Sequence, residues 1–322
     1  AIVITIILQT LFFTIGMQYN KKIINFSAMT VYAGMLIFFF VVLLSDVKIT
    51  TEAFSNIFNL NNFLNINNLA PLITVAGTIF AYFSILIISF GDFSRYVKNE
   101  QELKKGNLSL ILNLIIFSFL SVFIVIGSDV FLNQKFSDID RIFTNPTDIV
   151  GKFDNIQITI VVLFFIIIAS ASTNLVANFI PSQYSLINFA PSILSLKSAS
   201  YLIAFFGLLI AIFWLTILSQ IGILSFVDTF GAFFGPLFGV MAADYYLIKN
   251  QELSNKDLYS IDKESAYYYS GGWHIKGVYS LILGFIFSAS TIWNTNLMFL
   301  QSYAWIIGAF VAWITYYLLA KK

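Results

Sequence analysis

The chain contains no cysteine, a single histidine and few charged residues. Without cysteine it has no disulfide, no thiolate metal site and no cysteine nucleophile. Charged residues make up 10% of the 322 residues, whereas a soluble domain carries about a quarter. The 17 basic and 16 acidic side chains nearly cancel, so the chain lacks the basic field that attracts nucleic acid. These absences argue against a soluble domain and against a nucleic-acid partner.

Hydrophobic residues, in contrast, are abundant. They make up 59% of the sequence, with 36 phenylalanines and a mean hydropathy of +0.86. Crossing a hydrocarbon core of about 30 Å takes roughly 20 apolar residues in a helix. Nine windows satisfy this, at about 1–18, 27–47, 70–91, 108–128, 157–180, 199–219, 223–248, 274–293 and 298–319. The sequence therefore predicts an all-α integral membrane protein with about nine transmembrane helices, surrounded by lipid.

The basic residues are distributed unevenly between the predicted loops. In the nine-helix arrangement, thirteen lie on one side of the membrane and four, Lys48, Lys135, Arg141 and Lys152, on the other. Because cytoplasmic loops retain Lys and Arg, this predicts a cytoplasmic C-terminus in the plasma (inner) membrane. The sequence starts at Ala1 inside an apolar run, which we interpret as a chain that begins within a helix.

The segment from 169 to 192, ASASTNLVANFIPSQYSLINFAPS, places polar side chains where hydrocarbon is expected. On a helix, Ala169, Ser172 and Thr173 share one face, and Asn174 and Asn178 share another about 100–140° around the axis. Hydroxyl and carbonyl oxygens suit a hard cation such as sodium, whereas carboxamides both donate and accept hydrogen bonds, as recognition of a heterocycle requires. A single Ser or Thr often bonds to its own backbone or permits close packing. The whole cluster instead indicates a cavity.

Three stretches resemble the nucleobase/cation symporter-1 family, the permeases of cytosine, uracil, purines, allantoin and hydantoins. STNLVAN, followed by a proline and SLINFAPS, is similar to the eighth helix of that family. GAFFGPLFGVMAADYYLIKNQELSNKDLY, at 231–259, resembles the tenth helix, and YYYSGGWHIKGV, at 267–278, resembles the lead into the eleventh. The similarity covers the whole chain, whose nine predicted helices would be helices four to twelve of twelve, without the first three.

The resemblance implies a LeuT-type fold of two inverted five-helix repeats, with the site between the repeats near the middle of the membrane. Residues 1–47 would end the first repeat, residues 70–250 would form the second, and residues 274–319 would add two C-terminal helices. All of them would belong to one transmembrane domain, 1–322.

The resemblance also implies site residues. A cation would bind the Ala169 carbonyl and the Ser172 and Thr173 hydroxyls, together with carbonyls of the missing first helix. Asn178 would hydrogen-bond the planar substrate, with Asn174 beside it. Counting back from the end of FAYFSILIISFGDFSRY places the stacking aromatic at Phe83, where some members have Trp, with Tyr82 as a competing neighbour.

In the tenth helix the resemblance implies a thin outer gate, comprising Asp228, Phe230, Gly231, Gly235 and Pro236. The glycines and the proline supply the weak points of a bending helix, with close helix packing as the alternative. An acidic residue in a predicted span is a functional candidate, as a gate or proton site. Alternatively, Asp228 lies within a turn of the outer surface, in water.

These observations predict a monomeric secondary transporter that imports a small heterocycle, such as uracil, cytosine, allantoin or hydantoin, together with sodium or, alternatively, protons. It would need no cofactor and would not be an enzyme. The alternatives are a LeuT-fold symporter of an amino acid or vitamin-like solute and, less favoured, a membrane-embedded enzyme. The enzyme is less favoured because no carboxylate pair at helical spacing lies in a predicted span and no HExxH motif occurs. We interpret His274 as interfacial, Asp92 and Arg95 as a loop anchor, and the tyrosines at 267–269 as an aromatic belt.

Overall fold

The computed structural model describes residues 6–7, 9–11, 17–45, 47–59, 61, 65–135, 156–214, 223–258, 260 and 262–321. Within these residues the structure is helical, apart from loops and one isolated antiparallel bridge between Ser270 and Trp273. The predicted all-α fold is confirmed. Helices suit this sequence because a helix satisfies its own backbone hydrogen bonds, and the hydrocarbon of a membrane offers none.

Twelve α-helices are described. They are α1 (Met17–Ser45), α2 (Val47–Ile57), α3 (Ile66–Ile88), α4 (Phe90–Ser94), α5 (Glu100–Lys135), α6 (Ile156–Asn174), α7 (Ile180–Phe189), α8 (Leu196–Phe213), α9 (Ile223–Ala243), α10 (Asn255–Leu258), α11 (Ile275–Trp293) and α12 (Ala304–Ala320). A π-helical turn, Leu175–Phe179, joins α6 to α7, and a second, Asp244–Ile248, follows α9. A 3₁₀ helix, Thr295–Tyr303, precedes α12.

Eight helical stretches of the described chain are long and apolar enough to cross a membrane. They are Ile24–Val41, Leu69–Ile88, Glu100–Asp129, Thr159–Phe189, Leu196–Phe213, Phe226–Ile248, Ile275–Trp293 and Thr295–Ala320. Each corresponds to one of the nine predicted windows. The remaining window, 1–18, lies largely outside the described residues. The chain is therefore an integral membrane protein, and the side of the membrane on which it ends stays a prediction.

The chain forms two compact units, of which the first comprises residues 1–64 and 92–212. Here α1 packs against α5 and α6. Tyr32 of α1 donates a hydrogen bond from its hydroxyl to Asn113 Oδ1 of α5 at 2.7 Å. Gln183 of α7 is buried, and its Nε2 donates to the Leu196 carbonyl at 2.7 Å and to Ser200 Oγ at 2.8 Å. These bonds connect α7 to the start of α8.

The second unit comprises residues 65–91 and 213–322. Its helices α3, α9, α11 and α12 pack together, with α12 against both α9 and α11. Small residues allow this close approach. A Cβ at Gly235 of α9 would lie 2.3 Å from the Trp305 carbonyl oxygen, and one at Gly239 would lie 2.1 Å from that of Ala309. The predicted division into repeats concerns internal symmetry rather than contacts, and stays a prediction.

Candidate functional site

The polar segment of the fifth predicted helix lies where the helix changes its winding. The chain is α-helical to Asn174, π-helical over Leu175–Phe179 and α-helical again from Ile180. The Ile180 N–H reaches back five residues to the Leu175 carbonyl. Pro181, which follows, has no N–H to donate to the preceding turn. Single π turns inside α-helices occur frequently at functional sites, so this irregularity marks the segment as a candidate.

The residues predicted to bind a cation lie in the last two turns of α6. Ser172 Oγ donates a hydrogen bond to the Ala169 carbonyl at 3.1 Å, and Thr173 is exposed. The structure therefore brings the Ala169 oxygen and the Ser172 hydroxyl together, and Thr173 follows directly. The bond from Ser172 to its own backbone is the structural alternative that the sequence left open. A hydroxyl that donates its hydrogen keeps its lone pairs, so the Ser172 oxygen is still able to bind a hard cation, and the cation site stays a prediction.

The two predicted asparagines form a hydrogen-bonded pair across one helical turn. Asn178 Nδ2 donates to Asn174 Oδ1 at 2.7 Å, and Asn174 Nδ2 donates to Gln9 Oε1 at 2.9 Å. Asn178 is the exposed end of this row of amides, and its own Oδ1 accepts no bond from the described residues. Gln9 was not predicted, although a carboxamide in the middle of the apolar window 1–18 was a usable signal. Asn178 thus presents an acceptor and a remaining N–H.

The predicted stacking aromatics lie on α3, in the second unit, whereas the two asparagines belong to the first. Tyr82 and Phe83 meet edge to face, with 5.2 Å between ring centroids. Tyr82 is exposed and Phe83 is half-buried. The adjacent Ser84 is fully buried and donates to the Ala81 carbonyl at 2.6 Å. Both rings stay candidates for stacking on a planar ligand.

Asp228 of α9 is buried, with 7% of its surface exposed. Gln301, in the 3₁₀ helix before α12, donates from Nε2 to Asp228 Oδ2 at 2.8 Å, and Thr78 of α3 supplies a further hydrogen bond. The carboxyl group is therefore held by protein groups from two other elements rather than by bulk water. This pairing of Asp228 with Gln301 and Thr78 was not predicted, because the partners lie far away in the sequence.

The remaining gate candidates lie along α9. A Cβ at Gly231 would lie 2.4 Å from Ala81 Cβ, so both predicted gate glycines, Gly231 and Gly235, are sites of close packing. Pro236 is buried within the helix and removes one backbone hydrogen bond there. Phe230 is half exposed and contacts the Phe226 ring at 4.9 Å between centroids. Close packing is thus observed, and bending stays a prediction.

A further polar cluster joins the end of α9 to α11 and α12. The Tyr316 hydroxyl donates to Asp244 Oδ1 at 2.6 Å and lies 3.3 Å from His274 Nε2. His274 is stacked on Tyr269, which has a positive φ of 52° in the turn before α11. Burial lowers the pKa of the His274 imidazole below its ordinary value, while Asp244 acts in the opposite direction. The sequence singled out His274 as interfacial, but gave no sign of this cluster.

The segment after α3, from Asp92 in α4 to Tyr96, is anchored within the first unit. Arg95 forms an ion pair with Asp92 at 3.0 Å and lies over the Tyr184 ring, 4.2 Å from its centroid. The hydroxyls of Tyr96 and Tyr184 are hydrogen-bonded to each other. Burial raises the pKa of the Asp92 carboxyl, and Arg95 acts in the opposite direction. The contacts match the predicted role of Asp92 and Arg95 as an anchor, and add Tyr184 of α7 as the residue to which they attach.

Comparisons with known proteins place this geometry in context. The family described as permease for cytosine/purines, uracil, thiamine, allantoin matches residues 1–308. The allantoin permease of Bacillus subtilis is 28% identical over 244 residues, covering 76% of this chain and 48% of that protein. The purine-uracil permease of Arabidopsis thaliana is 25% identical over 255 residues, covering 75% and 41%. The chain thus spans about half the length of these relatives, which are permeases rather than enzymes.

A solved structure has the same fold. It is a nucleobase-cation-symport-1 family transporter in a closed conformation with bromovinylhydantoin bound. The TM-score is 0.69 at 18% identity, and the match covers 97% of this chain and 64% of that one. The predicted LeuT-type fold is confirmed by this match. Because the family match covers nearly the whole sequence, the chain belongs to the family of permeases for cytosine/purines, uracil, thiamine and allantoin.

Proposed function

We propose that the protein is a cation-coupled importer of a nucleobase or related heterocycle, such as uracil, cytosine, allantoin or hydantoin. The observation that carries the proposal is the amide pair Asn174–Asn178, which lies at a π turn inside a membrane-spanning helix. Irregular backbone at membrane depth is tolerated where it lines a cavity or is buried in protein. Family membership supports the same conclusion, since relatives are named as permeases of allantoin, purines and uracil.

The amide chemistry suits the proposed substrates. Nucleobases and ureides present neighbouring N–H and C=O groups in one plane, and a carboxamide presents one acceptor and two donors. Asn174 fixes one N–H of Asn178, which leaves the Asn178 Oδ1 and its other N–H for a ligand. Phe83 or Tyr82 would stack on the flat ring of the ligand.

The proposed coupling ion is sodium. The Ala169 carbonyl and the Ser172 and Thr173 hydroxyls are hard oxygen donors on little more than one turn of α6, and further oxygen ligands would complete the coordination. Sodium bound to this face would favour the conformation that binds substrate, and by linkage the substrate would favour sodium to the same extent. The alternative ion is the proton, for which the buried Asp228 is the candidate carrier.

Transport would follow alternating access, in which one group of helices moves against another around the bound solute. Residues Asp228 to Pro236 of α9 would form the outer gate. The hydrogen bond that Pro236 cannot make lowers the cost of bending there. The glycine contacts on either side would keep α9 attached to α3 and α12 as it bends.

The test is uptake of labelled uracil, cytosine, allantoin and hydantoin by the full-length protein in proteoliposomes, with and without a sodium gradient. We expect sodium-stimulated uptake of at least one compound. Asn178→Ala should reduce that uptake about 5- to 150-fold, since an unpaired polar group of the ligand costs about 1–3 kcal/mol.

The matched control is Asn188→Ala, which removes an exposed asparagine of α7 beyond the π turn. We expect this variant to transport at the unmodified rate. Equal losses in both variants would contradict the role of Asn178. No uptake of any of the four compounds, with the protein present in the membrane, would favour the alternative of a LeuT-fold symporter for an amino acid or vitamin-like solute.

A further inference from the structure

A cavity of about 230 Å³ opens at the end of the second unit where α9 ends, α11 begins and α12 ends. Its lining includes Asp244, Lys249, Tyr269, Trp273, His274 and Lys276. The volume is below the roughly 300–1,000 Å³ of sites that enclose drug-sized ligands. We call this the basic cavity. The unevenly distributed Lys and Arg residues predict that it faces the cytoplasm.

Two ammonium groups of the basic cavity have no acidic partner among the described residues. Lys249 Nζ lies 3.7 Å from the Tyr267 ring centroid and 3.4 Å from the Tyr269 hydroxyl oxygen. Within the described part of the chain, the three ion pairs lie elsewhere, and neither Lys249 nor Lys276 has a carboxylate within 4.0 Å. Lys249 is thus oriented by aromatic rings rather than neutralised, and its charge is available to an anion.

The acidic residue of the basic cavity is already engaged. The Asp244 carboxylate accepts a hydrogen bond from the Tyr316 hydroxyl at 2.6 Å, which uses part of its hydrogen-bonding capacity. With neutral His274, two lysines against one aspartate give the lining a net charge of +1. An anion is therefore favoured over a cation, and a protonated His274 would increase that preference.

The rim of the basic cavity has the surface of a membrane interface. Trp273 is 69% exposed, and Ile275 and Tyr269 expose 44% and 40% of their surfaces. Trp and Tyr are enriched at the level of lipid headgroups. From this rim α11 continues as the segment Ile275–Trp293, which is apolar enough to span the membrane. A ligand with an anionic head and apolar chains matches both parts.

We propose that the basic cavity binds the phosphate of an anionic phospholipid, with Lys249 and Lys276 contacting the headgroup and Trp273 and Ile275 contacting its acyl chains. Basic pockets between transmembrane helices on the cytoplasmic side bind such headgroups in general. The lining residues all belong to the second unit and include none of the predicted substrate or cation residues, so the proposal is independent of which solute is transported.

The test uses the full-length protein in nanodiscs and measures quenching of tryptophan fluorescence by brominated phosphatidylglycerol or by brominated phosphatidylcholine with identical chains. We expect the anionic lipid to quench at lower mole fractions, and Trp273→Phe to remove that difference. Each lysine near a membrane surface adds about fivefold to the affinity for anionic lipid. Lys249→Gln combined with Lys276→Gln should therefore lower the preference for phosphatidylglycerol roughly 30-fold.

Matched variants distinguish binding at the basic cavity from general electrostatic attraction to an anionic membrane. Lys256→Gln combined with Lys263→Gln removes the same charge from α10 and the turn after it, where both residues lie outside the cavity lining, and should retain the preference. Lys249→Arg combined with Lys276→Arg keeps both charges and should also retain it, which shows that the glutamine variant lost charge rather than fold.

An equal loss of the preference for phosphatidylglycerol in the variant Lys256→Gln with Lys263→Gln would overturn the proposal, since the attraction to anionic lipid would then be non-specific. A soluble phosphate is the remaining source of the same chemistry. If millimolar glycerol 3-phosphate abolished the preference for phosphatidylglycerol, the cavity would be a site for a soluble anion, and the lipid proposal would be wrong.

Discussion

His274, the single histidine of the chain, contacts two aromatic residues and lies near one acidic and two basic side chains, Asp244, Lys249 and Lys276. It stacks on Tyr269 with 3.9 Å between ring centroids, and its Nε2 lies 3.3 Å from the hydroxyl that Tyr316 shares with Asp244. Since that hydroxyl donates its hydrogen to Asp244, Nε2 is the donor in the bond from His274 to Tyr316. Nε2 therefore carries a hydrogen, and a neutral imidazole in this arrangement leaves Nδ1 without one.

This environment predicts a pH dependence of stability. Burial, assisted by Lys249 and Lys276 and opposed by Asp244, lowers the pKa of folded His274 below its ordinary value of 6.5. A group with a lowered pKa in the folded state binds its proton more readily when unfolded. Its stabilising contribution is complete above about pH 6.5 and is lost as the pH falls through the folded pKa. We expect the melting temperature in detergent to fall as the pH is lowered from about 7.5 to about 5.5, a range centred on the ordinary histidine pKa.

The variant His274→Gln should melt with less dependence on pH over this range, because no other histidine is present. Tyr279→Phe, an exposed position in the next turn of α11, serves as the control and should keep the slope of the unmodified protein. An unchanged slope in His274→Gln would show that carboxyl groups, rather than this imidazole, cause the decline.

At this scale the sequence predicted types of residue better than partners. Ser172, Asn174 and Asn178 stood out because polar groups are rare in apolar windows, and the structure joins the two asparagines. Yet Asn174 also bonds Gln9, and Asp228 bonds Gln301, across 165 and 73 positions. Such pairs depend on how distant helices pack, which no local pattern encodes.

Helices contact one another in the second unit through glycines of α9. Gly231, Gly235 and Gly239 recur every four residues, so they lie on one face, and each leaves no room for a Cβ. The atoms opposite Gly235 and Gly239 are backbone carbonyl oxygens of α12. A backbone cannot rotate away as a side chain does, so a larger residue must separate the two helices.

We therefore expect Gly239→Ala to destabilise the protein by about 1–3 kcal/mol, the usual cost of overpacking. The matched control is Gly207→Ala in α8, where an added Cβ meets nothing within 4 Å. That variant should be neutral or stabilised by up to about 1 kcal/mol, since alanine is the better helix former. Melting temperatures in detergent measure both, and equal shifts in the two variants would contradict the close packing of α9 against α12.

Helix positions were predictable because the length of an apolar run is a local property. Helix ends were less predictable, since α5 begins at Glu100, eight residues before the predicted window 108–128. Those residues, EQELKKGN, are polar, and a helix continues past the membrane surface when its ends find water. The π turns at 175–179 and 244–248 were not predicted, because one extra residue per turn leaves the hydropathy of the segment unchanged.

On the scale of the whole molecule, the substrate and the coupling ion would be identified by how strongly the binding of one changes the affinity for the other, rather than by any single contact. The chain matches the family over residues 1–308, and spans about half of its relatives, so the ion site and the substrate site must be tested in the full-length protein. If both ligands favour one conformation, each raises the affinity for the other by the same factor, typically about 5- to 150-fold.

The last prediction uses this reciprocity. In the full-length protein, Thr173→Ala should reduce the factor by which sodium raises substrate affinity, and should reduce equally the factor by which substrate raises sodium affinity. Ser185→Ala, which removes an exposed hydroxyl of α7 beyond the π turn, should change neither. Equilibrium binding of labelled substrate across a sodium titration measures the first factor, and sodium binding across a substrate titration measures the second. If ion–substrate coupling survives Thr173→Ala but is lost in Asp228→Asn, the coupling ion would instead be a proton. Asp228 is a buried carboxyl group held by neutral partners, and such a group gains or loses charge only by binding or releasing a proton.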